Sequence, residues 1–476
     1  MNYDVLVMGG GLSGLSAAVE LSHAGKKVLL LEQKPHLGGR AYSFVDRTTG
    51  DVVDNGQHLL MGCYHATRRY LDIIGSAHLA ILQPQLHIDF LRPAKEKVTL
   101  HCPNLPAPLH VLVGLINLNS LPATHRLKLL NVGRALVLGT KEDTLAGLTV
   151  DQWLRSLGQT EEARKYLWDI IAIGTLNDDP KTVSALLFYR VLKAAFLGKR
   201  ENSSLLVPRV GLSDLFVEPA VEFLKERGSE VLTGHEVEGI GIRGRRVEYV
   251  QSGRRRYKAS SYISAVPYFA LEKLVGRSGN VVSLEFDHFE SSPILTIHLW
   301  FDKEVMEEEF AAVLDCRIQW VFNRTRMVQR RDGGEVRGQK SGIGGRLLRR
   351  GHVVAQAEGQ RVAGGGQYLA IVISGAKEYL DWSKEKLVGL AMKELRELLP
   401  GARLAKVLHS LVVKEKRATF SPKPHVEQFR PQADIGFENL FLAGDWTDTG
   451  YPATIEGAVM SGKRAADACL DRDLKD

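Results

Sequence analysis

Cysteine is scarce in this sequence, with four residues, Cys63, Cys102, Cys316 and Cys469, among 476. None forms a Cys-x-x-Cys pair or stands at metal-ligand spacing from a histidine. A disulfide framework and a zinc motif are therefore excluded, no metal is expected, and a reducing cytoplasm fits. Long apolar runs are missing too, so no transmembrane helix is expected. The short run at 5–8 has no positive segment before it and ends in three glycines, which suits a first strand better than a secretory signal. There is no G-x-S-x-G elbow and no clustered ligand motif, so serine and metal hydrolases find no support. No internal repeat is present.

The chain is too long for one compact core, and two interleaved domains are expected. Apolar residues at 44% and charged residues at 25% are globular values. The formal charge of +7 is concentrated between Arg324 and Arg361, where ten basic residues face three acidic ones. The remainder is close to neutral, so no nucleic-acid partner is expected. The stretch 328–366 is also glycine-rich and poor in large apolar side chains, and is expected to be an exposed, flexible insertion between strand-like runs at 318–322 and 367–374. Residues 109–116 and 127–138 are apolar nearly all round. Such helices are either buried or dip into a membrane surface, and Arg126, Lys128 and Arg134 at their edge make them candidates for a peripheral membrane contact.

The chemistry-bearing signals lie at the two ends. Residues 3–8, 13–24 and 27–31 read as strand, helix and strand, with Gly9-Gly10-Gly11-Leu12-Ser13-Gly14 between the first two. A tight turn against a pyrophosphate leaves no room for a Cβ at Gly9, Gly11 and Gly14, and the helix start offers free N–H groups. Glu32, ending the second strand, is placed to accept ribose hydroxyls and to repel a 2′-phosphate. Near the other end, a strand at 440–443 runs into Gly444-Asp445 and then a helix beginning with small residues, a second place where main-chain donors can meet a polar ring edge.

Three segments carry a resemblance. Glu32 followed by Gly38-Gly39-Arg40 resembles the E-x₅-G-G-R pattern of the FAD-binding amine oxidase and carotenoid desaturase superfamily. Asp54-Asn55-Gly56-Gln57-His58, together with the run from Gly444-Asp445-Trp446 to Thr454-Ile455-Glu456-Gly457, resembles the squalene-associated FAD-dependent desaturases, or hydroxysqualene dehydroxylases. The likeness covers the chain except about 328–366. It implies an α/β fold in which a Rossmann-like FAD-binding domain (1–90, 201–275 and 411–476) is interleaved with a mixed-sheet plus helical substrate, or cap, domain (91–200 and 276–410). It also implies non-covalent FAD, with Gly39 and Arg40 along the dinucleotide, the main chain at Val237 on the adenine edge, Asp445 on the ribityl-phosphate stretch, and the backbone of Ile455 and Glu456 at the isoalloxazine.

The activity implied is reduction of hydroxysqualene to squalene, in hopanoid biosynthesis. His58 is the candidate acid, with Asp54 or Gln57 orienting it. The partners expected are a lipophilic isoprenoid and an electron donor that the sequence does not name. No second nucleotide fingerprint is present, so direct use of NAD(P)H is not expected. Cytoplasmic location, with contact at the inner face of the cell membrane, follows from the same reading. The alternatives are a carotenoid or phytoene-type desaturase, a flavin amine oxidase, or a non-catalytic flavin-binding subunit of a prenyl-lipid assembly.

Overall fold

The computed structural model describes residues 3–95, 97–277, 284–328 and 366–474. A parallel sheet of five strands forms one half, in the order Glu230–Thr233, Val28–Glu32, Tyr3–Met8, Ala259–Ser264, Leu440–Leu442. Its central strands are apolar at consecutive positions because both faces are covered. On one face Val5, Val7 and Leu30 meet Leu15 and Val19 of helix Leu12–His23 and Val459 and Ala465 of helix Ile455–Asp473. On the other, Leu6, Met8 and Leu29 meet Ile240, Val247 and Val250 of an antiparallel three-stranded sheet whose first hairpin turns at 243–246.

The two helices on the first face cross at backbone contact. A Cβ on Gly462 would sit 2.2 Å from the Ser13 carbonyl oxygen, and the Ser16 hydroxyl donates to the Val459 carbonyl at 2.8 Å. Only glycine permits that approach.

The second half is a mixed sheet of seven strands, in the order Val407–Phe420, Ser291–Phe301, Gln367–Ser374, Trp320–Asn323, Phe310–Val313, His87–Leu91, Val98–His101. Trp320–Asn323 and Gln367–Ser374 pair antiparallel, as a hairpin reading requires. The segment joins expected at 90 and 410 fall inside two strands of this sheet. The expected insertion, apart from residues 328 and 366, lies outside the described residues. Strand Gln367–Ser374 sends Leu369, Ile371 and Ile373 against helix Lys384–Leu398, and Ala370 and Val372 against a helical layer built from residues 109–196. In that layer the helix Leu109–Ile116 is as expected. Its neighbour spans Ala123–Leu138 and so begins four residues earlier than expected, directly after Pro122, which stands at the N-cap where a proline's missing N–H costs nothing.

Where the halves meet, polar groups are buried. Asp54, at the end of strand Val52–Asp54, places one carboxylate oxygen 2.8 Å from a guanidinium nitrogen of Arg324, and both side chains are 1% exposed. The other oxygen accepts from the Ser43 hydroxyl at 2.6 Å and the Leu212 N–H at 3.0 Å. Beside them Tyr368 meets Nδ1 of His298 at 2.8 Å and stacks on Trp300 with ring centroids 4.3 Å apart, while the Trp300 indole donates to Asp51 at 2.7 Å. Burial first, and the nearby Arg324 charge second, push the His298 imidazole down to about 3.

Two outcomes follow for stability. A buried charge left without its partner costs far more than the pair contributes, so Arg324→Met or Asp54→Asn alone should each lower unfolding free energy by about 3–5 kcal/mol. The double variant Asp54→Leu with Arg324→Met should regain most of that; losses that simply add in denaturant titrations would show that the two do not act as a unit. His298 stays neutral in the fold while an unfolded chain takes up its proton below the ordinary value of 6.5. Stability is therefore present above 6.5 and falls as pH drops from there toward about 3. Melting temperature measured from neutral to acid pH should fall less steeply in His298→Gln, and identical slopes would exclude this contribution.

Candidate functional site

Parallel topology brings the ends of strands Tyr3–Met8 and Leu440–Leu442, and the starts of the helices after them, to one edge of the five-stranded sheet. At the first turn Gly9 has φ +104°, and a Cβ on Gly14 would lie 1.9 Å from the Gly9 carbonyl oxygen. Gly11 faces Gly39, where an added Cβ would lie 3.1 Å from the Gly11 Cα, and the Gly38 N–H donates to the Gly10 carbonyl at 2.9 Å. The two glycine groups thus form one shallow cradle. Buried Glu32 accepts from the Gly10 N–H at 2.6 Å and the Lys34 N–H at 2.8 Å. Besides the ribose role expected of it, it clamps the turn itself.

Arg40 leads directly to the other end of the chain. It forms an ion pair with Asp445 at 2.7 Å and donates to the Ala418 carbonyl, so the two distant motifs touch. Helix Ile455–Asp473 starts beside them, with Thr454 capping the Gly457 N–H at 3.1 Å. The N–H groups of Ile455 and Glu456, and the main-chain polar groups of Val237, have no hydrogen-bond partner among the described residues. The Glu456 side chain turns away from that helix start. Its carboxylate accepts from the N–H groups of Ala66 and Thr67 at 2.9 and 2.8 Å and from the Thr67 hydroxyl at 2.7 Å, which caps helix His65–Ile73. Burial raises its pKa in spite of these bonds.

His58 is half-buried next to these groups. Its Nδ1 lies 2.7 Å from the Gly56 carbonyl, which can only accept, so Nδ1 carries the hydrogen and Nε2 presents a lone pair. Desolvation lowers its pKa; the Gly56 bond and Asp54 act in the opposite sense, and Arg40 adds to the lowering. The expectation that Asp54 or Gln57 orients the ring is corrected. Asp54 spends its oxygens on Ser43, Leu212 and Arg324, and the Gln57 amide nitrogen has no partner among the described residues, so the Gly56 carbonyl does the orienting. Nearby, burial pushes the Cys63 thiol and the Tyr451 phenol to about 12 and the Tyr64 phenol higher still.

Arg430 went unseen in the sequence because nothing local marks it. Wholly buried, it donates to the carbonyls of Thr447 at 3.0 Å and Tyr451 at 2.8 Å and to Glu427 at 2.7 Å, and so holds the loop 445–451 in place. Arg324 had been counted only as part of a basic run; its burial against Asp54 comes from a pairing 270 residues apart in sequence.

A cradle lined by glycine, two helix starts aimed at one edge and a joined Arg40–Asp445 pair fit a dinucleotide with a polar ring system. Among the described residues no group of His, Cys, Asp and Glu could hold a metal ion, and no helix is long and apolar enough to cross a membrane. The profile of the flavin containing amine oxidoreductases matches residues 12–470. The chain is 29% identical to the hydroxysqualene dehydroxylase of Sinorhizobium fredii over 99% of both chains, and 25% identical to the zeta-carotene desaturase of Zea mays over 97% of this chain and 82% of that one. Its fold is shared with an oxidoreductase from Methanosarcina mazei (TM-score 0.70, 16% identity, 98% and 100% of the two chains) and with cyclohexylamine oxidase from Brevibacterium oxydans (TM-score 0.65, 15% identity, 100% of both). The chain belongs to the flavin containing amine oxidoreductase family and is a flavin-dependent oxidoreductase.

Proposed function

We propose that the protein binds FAD non-covalently and reduces hydroxysqualene to squalene. The observation that carries the reading is the Arg40–Asp445 pair, which closes the N-terminal glycine segment on the family-specific segment at 444–457, with His58 in the field of both Arg40 and Asp54. Full-length relatives named hydroxysqualene dehydroxylases support it.

When bound, reduced FAD supplies a hydride equivalent to the substrate carbon and is itself oxidised. The chain's residues have the complementary tasks. Gly9, Gly11, Gly14 and Gly39 admit the pyrophosphate, Glu32 takes the ribose, Arg40 and Asp445 hold the phosphate and ribityl stretch, and the N–H groups of Ile455 and Glu456 meet the ring. The substrate's allylic C–O bond breaks as its oxygen receives a proton and leaves as water. Tyr64 and Tyr451, half-buried near each other, are placed to exclude solvent that would recapture the carbon centre. His58 delivers the proton from Nε2, and it can do so only in its protonated form.

A desaturase running in the oxidative direction would use the same cofactor residues and need no acid, and the zeta-carotene desaturase likeness keeps that reading second. Anaerobic incubation of photoreduced protein with hydroxysqualene separates them. Flavin reoxidation with squalene as the extracted product is expected, whereas reduction of oxidised flavin by a polyene precursor would favour the desaturase. Because burial lowers the His58 pKa, turnover should decline as pH rises through a value below the ordinary 6.5. His58→Gln with full flavin content should lose that limb and about 10²–10⁴-fold in rate; near-normal turnover would remove His58 from the mechanism.

A further inference from the structure

Helix Ala123–Leu138 has two apolar faces where a surface helix ordinarily has one. Leu129, Val132 and Leu136 pack into the core of the helical layer. On the opposite side Leu127, Leu130, Val137 and Leu138 face outward, with Leu127 62% and Leu138 71% exposed. Neighbouring Leu109 and Ile116, at the two ends of helix Leu109–Ile116, and Leu105 before it are exposed as well. Between the helices opens a cavity of about 200 Å³ walled by Val111, Leu115, Leu129, Trp168 and Phe196, with Arg126 and Arg134 as its charged liners.

Charge follows the same boundary. From Lys97 to Lys141 the sequence contains no aspartate or glutamate, although the chain carries 55. Exposed Lys128 and Arg134 and half-buried Arg126 are spaced so that their long stems can lie along the apolar stripe with their charges at its margin. Glu162, from outside this stretch, reaches His125 of the second helix at 3.5 Å; an apolar face whose own helices carry cations and no acids is complementary to an anionic lipid surface. One helix links the wall of the cavity to loop 445–451. Phe196 in its wall lies on helix Ala185–Phe196, about 9 Å along the axis from Arg190. Arg190 pairs with Glu427, which pairs in turn with Arg430, the residue that fixes loop 445–451.

We propose that helices Leu109–Ile116 and Ala123–Leu138 form a docking face for an anionic bilayer, with the cavity between them opening into the acyl region so that a hydrocarbon chain passes from lipid to protein without crossing water. The docking itself does not depend on which isoprenoid reacts.

The test is flotation of the flavin-loaded full chain with vesicles that contain no substrate, made of phosphatidylcholine alone or mixed equally with phosphatidylglycerol, so that failure here leaves the reaction untouched. Co-flotation with the mixed vesicles, weakened by salt, is expected. Lys128→Glu with Arg134→Glu should weaken it by about fivefold or more per residue. Leu127→Asp with Leu138→Asp should abolish it while flavin content and melting temperature stay unchanged, since both positions are exposed. Absence of flotation at low salt, or flotation indifferent to all four substitutions, overturns the proposal. So does a dimer that Leu127→Asp with Leu138→Asp converts to monomer in the absence of lipid binding, because that would assign the face to a second copy.

Discussion

Two helices can come as close as Leu12–His23 and Ile455–Asp473 do only if one of them lacks a side chain at the crossing, and Gly462 over the Ser13 carbonyl supplies that gap. The contact fixes both helices on one face of one parallel sheet. Because both follow strands running the same way, both helix starts emerge at the same sheet edge with their unbonded N–H groups aimed outward. The glycine cradle, the Arg40–Asp445 pair and the placement of His58 all follow from that registration. Altering the crossing would displace the second helix start relative to the first, and the site would lose its shape before any of its own residues changed.

Features with a local signature were legible in the sequence. The strand, turn and helix at 3–24 showed in consecutive apolar positions, glycines where a Cβ cannot fit and a carboxylate ending the next strand. The pairing of Trp320–Asn323 with Gln367–Ser374 showed through strand-forming runs despite the long segment between them. Partnerships made only by the fold were not legible. Asp54 read as a neighbour of His58 because four positions separate them, yet its charge is answered by Arg324. Glu456 read as a helix start, while its carboxylate caps a different helix. Arg430 is one arginine among many until its donors are counted against the carbonyls of a single loop. The apolar helices near 109–138 were ambiguous for another reason: a stripe facing a core and a stripe facing outward leave the same mark on composition, and Ala123–Leu138 has both.

The seam between the halves is unusual in holding charges and a neutral histidine where apolar contact would be simpler. Such a layer adds little net stability, because desolvation offsets most of the attraction. What it adds is selectivity among arrangements. Arg324, buried beyond the reach of solvent, tolerates only a packing that presents Asp54 to it, and Asp54 in turn holds Ser43 and the Leu212 N–H. The segment leading to His58 is thereby tied to the large sheet at one point, and the half built on the parallel sheet and the half built on the seven-stranded sheet share a single alignment.

The Arg40–Asp445 pair spans 405 positions, nearly the whole polypeptide. During synthesis the opening turn leaves the ribosome long before the strand and helix that complete it, and the fifth strand of the parallel sheet, Leu440–Leu442, is absent until then. A nascent chain can therefore present the glycine turn early but cannot close the site until Asp445 has been made and can meet Arg40.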